Sequence, residues 1–211
     1  MLYYRTISIE TLELLKKIRN IEIFADLRLV GGTSLALQLG HRSSIDLDFF
    51  GSIKCDKLDI LNELKRLGRV QLISETENIN IYTINNIKVD IINYDYPWLY
   101  GRISEDNLSL ADIRDIAAMK LAAISGRGTK KDFIDIYFLL KKYTLAQLLS
   151  FYEKKYDDGS EFLVLKSLSY FNDAEEDVSP KMFIPVVWND IKNSIMAYVD
   201  EFVNNTGKAR K

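Results

Sequence analysis

Two aspartates, Asp46 and Asp48, stand two residues apart in the apolar segment 45–50. If this segment forms a strand, both carboxylates lie on the same side of the sheet. Two carboxylates that close repel each other unless a cation lies between them. Their oxygens suit Mg²⁺, which usually binds one or two carboxylates together with substrate phosphates. The pair therefore indicates metal-assisted chemistry on a phosphorylated substrate.

A glycine pair, Gly31-Gly32, precedes these aspartates, with thirteen residues between Gly32 and Asp46. Glycines in a turn allow backbone N–H groups to approach a phosphate closely. Each signal alone has a simpler interpretation, because glycine pairs are common in turns and paired aspartates are common on solvated strands. The two signals together, with apolar residues flanking the aspartates, favour a metal and phosphate site.

A third carboxylate, Asp90, has apolar neighbours in segment 88–92, which follows a hairpin turn predicted at Asn85-Asn86. If its strand pairs beside residues 45–50, Asp90 can join Asp46 and Asp48. Three carboxylates could then hold two divalent ions. One ion would lower the pKa of the attacking oxygen, and the other would neutralise charge on a triphosphate and its leaving group.

The composition limits the classes of protein to which the chain could belong. It has 211 residues, 47% of them hydrophobic, which suits one large domain or two small ones. A net charge of −2 excludes a strongly basic nucleic-acid binder, so contact with RNA would need a local basic patch. The lone Cys55 excludes an intrachain disulfide and fits a reducing compartment. No apolar run is long enough for a membrane helix, so we expect a cytoplasmic protein.

The apolar periodicity changes after Pro97, from alternating helix and strand patterns to helix patterns alone. We therefore predict an α+β fold. Residues 1–100 would form a small mixed β-sheet with flanking helices, and residues 101–211 a helical bundle that closes an active-site cleft. Ser109 to Asp112 resembles a capping box that begins the first helix of this bundle. The predicted strands are 24–30, 45–50, 69–75, 79–84 and 87–93. Ser8 is predicted to cap a first helix, and Gly40 to end a second helix.

The order of Gly-Gly, Asp-x-Asp and a later single Asp resembles the nucleotidyltransferase superfamily related to DNA polymerase β. Residues 30–37 and 41–50 resemble more closely the AbiEii/AbiGii toxin family. Residues 112–124 and 127–140 resemble the same family, so the resemblance extends over about residues 24–142.

The resemblance implies a role for each motif. It implies that the glycine motif holds the nucleotide phosphates, through Gly31, Gly32, Thr33 and Ser34. It implies that Asp46, Asp48 and Asp90 bind the metal, and that Asp90 could act as the base for the incoming hydroxyl. Arg42 could bind the triphosphate or be an ordinary loop residue.

On the helical side, the resemblance implies that Lys120 contacts the triphosphate; the alternative is a lysine that extends from the edge of an alanine-rich helix. It also implies a charged segment that adds positive charge and orients it, made of Arg127, Lys130, Lys131, Asp132 and Asp135. The two aspartates could instead form surface ion pairs. Many relatives carry arginine where this chain has Lys131, and lysine lacks the bidentate fork of arginine.

These expectations combine into one function. The protein would transfer a nucleoside monophosphate from an NTP to an acceptor hydroxyl with Mg²⁺ or Mn²⁺, and its acceptor would be the 3′ end of a tRNA, with protein hydroxyls second. The biological role would be a toxin countered by an antitoxin. Two alternatives stay open: a catalytically silent nucleotide-binding module, and an aminoglycoside-type nucleotidyltransferase that acts on a small molecule.

Overall fold

The computed structural model describes residues 1–209, with side chains described as far as residue 206. The chain divides into two compact units, Met1–Asp112 and Ile113–Lys211. The first unit holds a mixed sheet with helices and the second unit holds helices. The predicted α+β fold class is therefore confirmed. The first unit extends beyond residue 100 because two further strands, which the sequence patterns did not reveal, join its sheet.

The sheet of the first unit has seven strands in the order β3-β4-β5-β2-β1-β7-β6. The strands are β1 (Arg28–Leu29), β2 (Leu47–Gly51), β3 (Val70–Glu75), β4 (Ile79–Ile84), β5 (Ile87–Asn93), β6 (Ile103–Glu105) and β7 (Leu108–Leu110). β2 pairs in parallel with β5, and β1 pairs in parallel with β7. The other neighbouring pairs are antiparallel.

Three helices accompany this sheet: α1 (Ile9–Arg19), α2 (Gly31–Leu39) and α3 (Lys57–Lys65). α1 begins as predicted at Ser8, whose side chain accepts a hydrogen bond from the Thr11 N–H. α2 ends as predicted at Gly40, whose φ of +69° is the left-handed conformation that glycine adopts most easily. The apolar sides of α1 and α3 share one buried core with the inward-facing residues of β2 and β5.

Two hairpin turns of the sheet are made by asparagine and aspartate residues. Asn85 and Asn86 have φ values of 51° and 68°, which confirms the predicted hairpin between β4 and β5. Asp106 and Asn107 make the same kind of turn, with φ of 51° and 61°, between β6 and β7. The predicted capping box was wrong, because Ser109 is buried within β7 and the next helix begins at Ile113.

The second unit contains α4 (Ile113–Gly126), α5 (Lys130–Leu140), α6 (Leu145–Lys155), α7 (Glu161–Leu168), α8 (Asn172–Glu175) and α9 (Trp188–Ala209). A fully buried ion pair, Lys155 Nζ to Asp115 Oδ1 at 2.8 Å, joins α6 to α4. α6 begins with a true capping box, in which Thr144 and Gln147 exchange hydrogen bonds. None of the helices in the described residues is long and apolar enough to cross a lipid bilayer.

Candidate active site

Two of the predicted acids meet on one face of the sheet. Asp48 on β2 and Asp90 on β5 are Cα partners in the parallel pair, so their side chains leave neighbouring strands at the same level. The residues on either side of them, such as Leu47 and Val89, point into the core and are buried. Asp48 and Asp90 therefore lie on the opposite, partly open face, as the alternation of the sequence predicted.

Asp46 lies just before β2 rather than within it. The Thr33 hydroxyl donates a hydrogen bond to the backbone carbonyl of Asp46, and it also lies in hydrogen-bond contact with the Ser44 hydroxyl at 2.8 Å. These bonds tie the first turn of α2 to the segment that leads into the carboxylate strand. The Thr33 side chain is buried and serves this link.

The glycine pair begins α2, whose first N–H groups have no acceptor within the helix. Gly31 has φ of +65°, and a Cβ placed on it would lie 2.0 Å from Asp48 Oδ2. A Cβ on Gly32 would lie 2.4 Å from Nη2 of the buried Arg42. Position 31 therefore requires glycine for its backbone conformation, and a side chain on Gly32 would have to displace the end of Arg42. The N-terminus of α2 and the Arg42 guanidinium lie beside the Asp48 carboxylate. These two positive groups could bind an anion next to the carboxylate.

Ser34, the last residue predicted to hold the phosphates, is buried in the first turn of α2. Its hydroxyl accepts a hydrogen bond from Gln38 Nε2 at 3.2 Å. Gln38 also donates to the Ala111 carbonyl at 3.1 Å, just beyond β7. The Ser34 side chain thus contributes to the packing of the first unit.

Lys88 is a site residue that the sequence reasoning missed. Its ammonium contacts both carboxylate oxygens of Asp90, at 2.7 and 2.6 Å. The two residues are two apart on β5 and therefore share a face of the sheet. That i, i+2 spacing was the available signal, since a lysine and an aspartate on one strand face can pair directly.

In the second unit, α4 and α5 are joined by a buried charge cluster. Lys120 Nζ lies 2.9 Å from Asp132 Oδ1 and 2.7 Å from Asp135 Oδ2, and all three side chains are buried. Thr129 donates a hydrogen bond to Asp132 at 2.6 Å, and Arg127 Nε lies 3.4 Å from the same carboxylate. Burial raises the pKa of Asp132, but the neighbouring cations and the Thr129 hydroxyl outweigh it and hold that pKa below its usual value.

The two lysines at the start of α5 have different surroundings. Lys130 is buried, and its ammonium donates to the backbone carbonyls of Glu175 and Asp177 at 2.8 and 2.6 Å. It therefore joins the end of α8 and the residues that follow it to α5. Lys131 is exposed, as is most of the Arg127 side chain, so these two residues present positive charge to solvent.

Asp46, Asp48 and Asp90 are hard oxygen donors and fit a divalent ion in their chemistry. Within the described residues, however, no three His, Cys, Asp or Glu side chains are grouped closely enough to hold a metal ion. Asp90 is bound to Lys88, so a cation that binds Asp90 must share or replace this contact. The three carboxylates therefore fit a divalent ion in their chemistry, but their side chains would have to move closer together to bind it.

A comparison with protein families decides the identity of the chain. Residues 13–203 match the model of the nucleotidyl transferase AbiEii toxin of type IV toxin–antitoxin systems. The chain belongs to the AbiEii family. It is thus a nucleotidyltransferase of a toxin family, and the resemblance seen in its motifs is confirmed.

Other known proteins share its length or fold. An uncharacterized protein of Aquifex aeolicus is 34% identical over 207 residues, which cover 95% of this chain and 100% of that protein. The match to a candidate nucleotidyltransferase of Helicobacter pylori covers 96% of this chain and 98% of that protein, with 18% identity and a TM-score of 0.58. The match to MenT4, a nucleotidyltransferase toxin of Mycobacterium tuberculosis, covers 92% of this chain and 86% of MenT4, with 16% identity and a TM-score of 0.52. At these identities the two structures support the fold alone.

Proposed function

We propose that this AbiEii protein transfers a nucleoside monophosphate from an NTP to the 3′ hydroxyl of an RNA and releases pyrophosphate, with tRNA as the acceptor. The observation that carries the proposal is the alignment of Asp48 with Asp90 while Gly31 approaches the Asp48 carboxylate. This arrangement sets two hard-oxygen donors beside a helix N-terminus, which are the groups that a metal-bound triphosphate requires.

Each group in the first unit has a proposed task. The N–H groups of Gly31 and Gly32 and the guanidinium of Arg42 would bind phosphate oxygens. Asp90 would accept the proton of the attacking hydroxyl. Asp46 and Asp48 would hold a divalent ion together with Asp90, and that Mg²⁺ or Mn²⁺ would neutralise charge that develops on the phosphates.

The charged residues of the second unit have two proposed tasks. Lys120, Asp132 and Asp135 would fix α4 to α5 through their buried contacts. Arg127 and Lys131 would attract the triphosphate or the RNA, because both are exposed cations in a nearly neutral chain. Direct contact of Lys120 or the two aspartates with the nucleotide stays a prediction.

The family supports the biological part of the proposal. AbiEii proteins are toxins of type IV toxin–antitoxin systems, so we propose that a cognate antitoxin restrains this protein in the cell. We also place it in the cytoplasm, where NTPs and tRNA are found and where a lone Cys55 stays reduced.

The proposal is tested by incubating the purified protein with each labelled NTP, Mg²⁺ and one acceptor pool at a time. The pools are total RNA, a protein extract and an aminoglycoside. We expect label at RNA 3′ ends, and expect Asp46→Ala to abolish transfer while leaving the melting temperature unchanged. Label on the aminoglycoside alone would identify the small-molecule alternative. NTP binding by calorimetry with no transfer to any pool would identify the silent module.

A further inference from the structure

The face of the sheet that bears the carboxylates also carries a second row of side chains. Phe50 and Ile92 are Cα partners two residues beyond Asp48 and Asp90, so they share the same face. Arg28 on β1 is the Cα partner of Phe50 and extends this row across a third strand. Two residues of strand span about 6.6 Å, so the second row lies one short step from the carboxylates.

Four aromatic rings gather at this second row. The Tyr94 ring lies at the centre, 5.2 Å from the ring of Phe50, 5.5 Å from that of Tyr96 and 5.3 Å from that of Trp98. The Tyr94 N–H donates to the Gly51 carbonyl at 3.0 Å, which continues the β2–β5 pairing to this point. We call Phe50, Tyr94, Tyr96 and Trp98 the aromatic ledge.

A cation lies beside the aromatic ledge, and one of its rings is exposed. The Arg28 guanidinium lies 4.3 Å from the centre of the Trp98 ring and donates a hydrogen bond to the Tyr100 carbonyl at 2.9 Å. Tyr96 is 40% exposed, whereas the rings of Phe50, Tyr94 and Trp98 are half-buried. Exposed aromatic rings beside an arginine are the surface on which unpaired nucleobases stack.

We propose that the aromatic ledge binds a nucleobase, with Tyr96 as the ring that contacts it. The inference rests on the proposed function, because phosphates held beside Asp48 and Gly31 would bring an attached base to the neighbouring row. The base belongs either to the NTP or to the unpaired 3′ end of the acceptor RNA. Both sources offer the same flat, apolar face, and their binding can be measured separately.

The test measures three affinities by calorimetry: an NTP with Mg²⁺, inorganic tripolyphosphate with Mg²⁺, and a short single-stranded RNA without nucleotide. Loss of one stacked base weakens binding about tenfold. We expect Tyr96→Ala to weaken NTP or RNA binding by that factor and to leave tripolyphosphate binding unchanged. Tyr96→Phe keeps the ring and should bind like the wild type. Tyr170→Ala is the matched control, since Tyr170 is a 51% exposed tyrosine of the second unit.

The outcomes separate this inference from the proposed function. A tenfold loss for the NTP assigns the ledge to the donor base, and a tenfold loss for the RNA assigns it to the acceptor base. Affinities within twofold of the wild type in both Tyr96→Ala and Trp98→Ala would overturn the ledge while leaving nucleotidyl transfer intact. RNA binding that depends on Tyr96, without any binding of NTP or tripolyphosphate, would support the ledge and contradict the proposed function.

Discussion

Asp48 and Asp90 occupy equivalent positions on the parallel strands β2 and β5, yet each has a different partner. Asp48 lies against the backbone of Gly31, whereas Asp90 is bound by the ammonium of Lys88. Two carboxylates at the same level of a sheet repel each other, so the groups beside each one affect how much this repulsion costs. The consequences can be tested one residue at a time.

Gly31→Ala should damage the site directly. The Cβ of the new alanine would lie 2.0 Å from Asp48 Oδ2, and its backbone would have to adopt φ of +65°. The strained backbone costs about 1–3 kcal/mol of folding free energy. We expect the displaced carboxylate to lower transfer about 100-fold. Denaturant unfolding and the label-transfer assay measure the two effects.

Gly126→Ala is the matched control for this substitution. Gly126 ends α4, and a Cβ on it would meet nothing within 4 Å. We expect transfer at the wild-type rate and stability that is unchanged or higher by about 0.4–1 kcal/mol. Equal loss of transfer in the Gly31 and Gly126 variants would show that close approach to Asp48 is unimportant.

Lys88→Met should strengthen metal binding in the absence of nucleotide. The lysine competes with any cation for Asp90, and a screened contact of this kind is worth about 1 kcal/mol. We therefore expect Mn²⁺, followed by electron paramagnetic resonance, to bind about fivefold more tightly to the variant. Lys57→Met is the control, because Lys57 pairs with Glu75 at 3.1 Å and its side chain has the same 43% exposure. Unchanged Mn²⁺ affinity in Lys88→Met would contradict the competition.

The charge cluster of the second unit should make the free energy of unfolding decrease at low pH. The pKa of Asp132 is lowered in the folded protein, so its stabilisation is complete above the unfolded pKa of about 3.9 and is lost as pH falls further. Between pH 5 and about 3, we expect the unfolding midpoint in urea to fall more steeply for the wild type than for Asp132→Asn. Parallel slopes in the two proteins would show that Asp132 does not carry this dependence.

The sequence predicted the parts of the fold that depend on local chemistry. The hairpin at Asn85-Asn86, the cap at Ser8 and the stop at Gly40 all involve residue types whose conformational preferences are strong. The sequence did not predict the parallel pairing that joins Asp48 to Asp90. Strand pairing across a long connection is set by the packing of the whole unit, and periodicity along one strand contains no information about its neighbour.

The misses have physical causes of the same kind. Segment 103–110 forms two strands of three residues each, too short for an alternating pattern, although the turn residues Asp106 and Asn107 were a usable signal. β1 is two residues rather than the predicted 24–30, because Glu22–Phe24 forms a 3₁₀ helix and the turn continues through residues 25 and 26. The alternation of a strand places Lys88 and Asp90 on one face, but it does not show that their side chains pair.

The rate of label transfer from NTP to RNA in Asp48→Asn tests the central claim most directly. This substitution preserves the shape of the side chain and removes its charge. The account predicts a rate at least about 100-fold below that of the wild type, with an unchanged melting temperature. The exposed Asp59→Asn on α3 should transfer like the wild type. Transfer by folded Asp48→Asn at the wild-type rate would contradict the assignment of Asp48 to the active site.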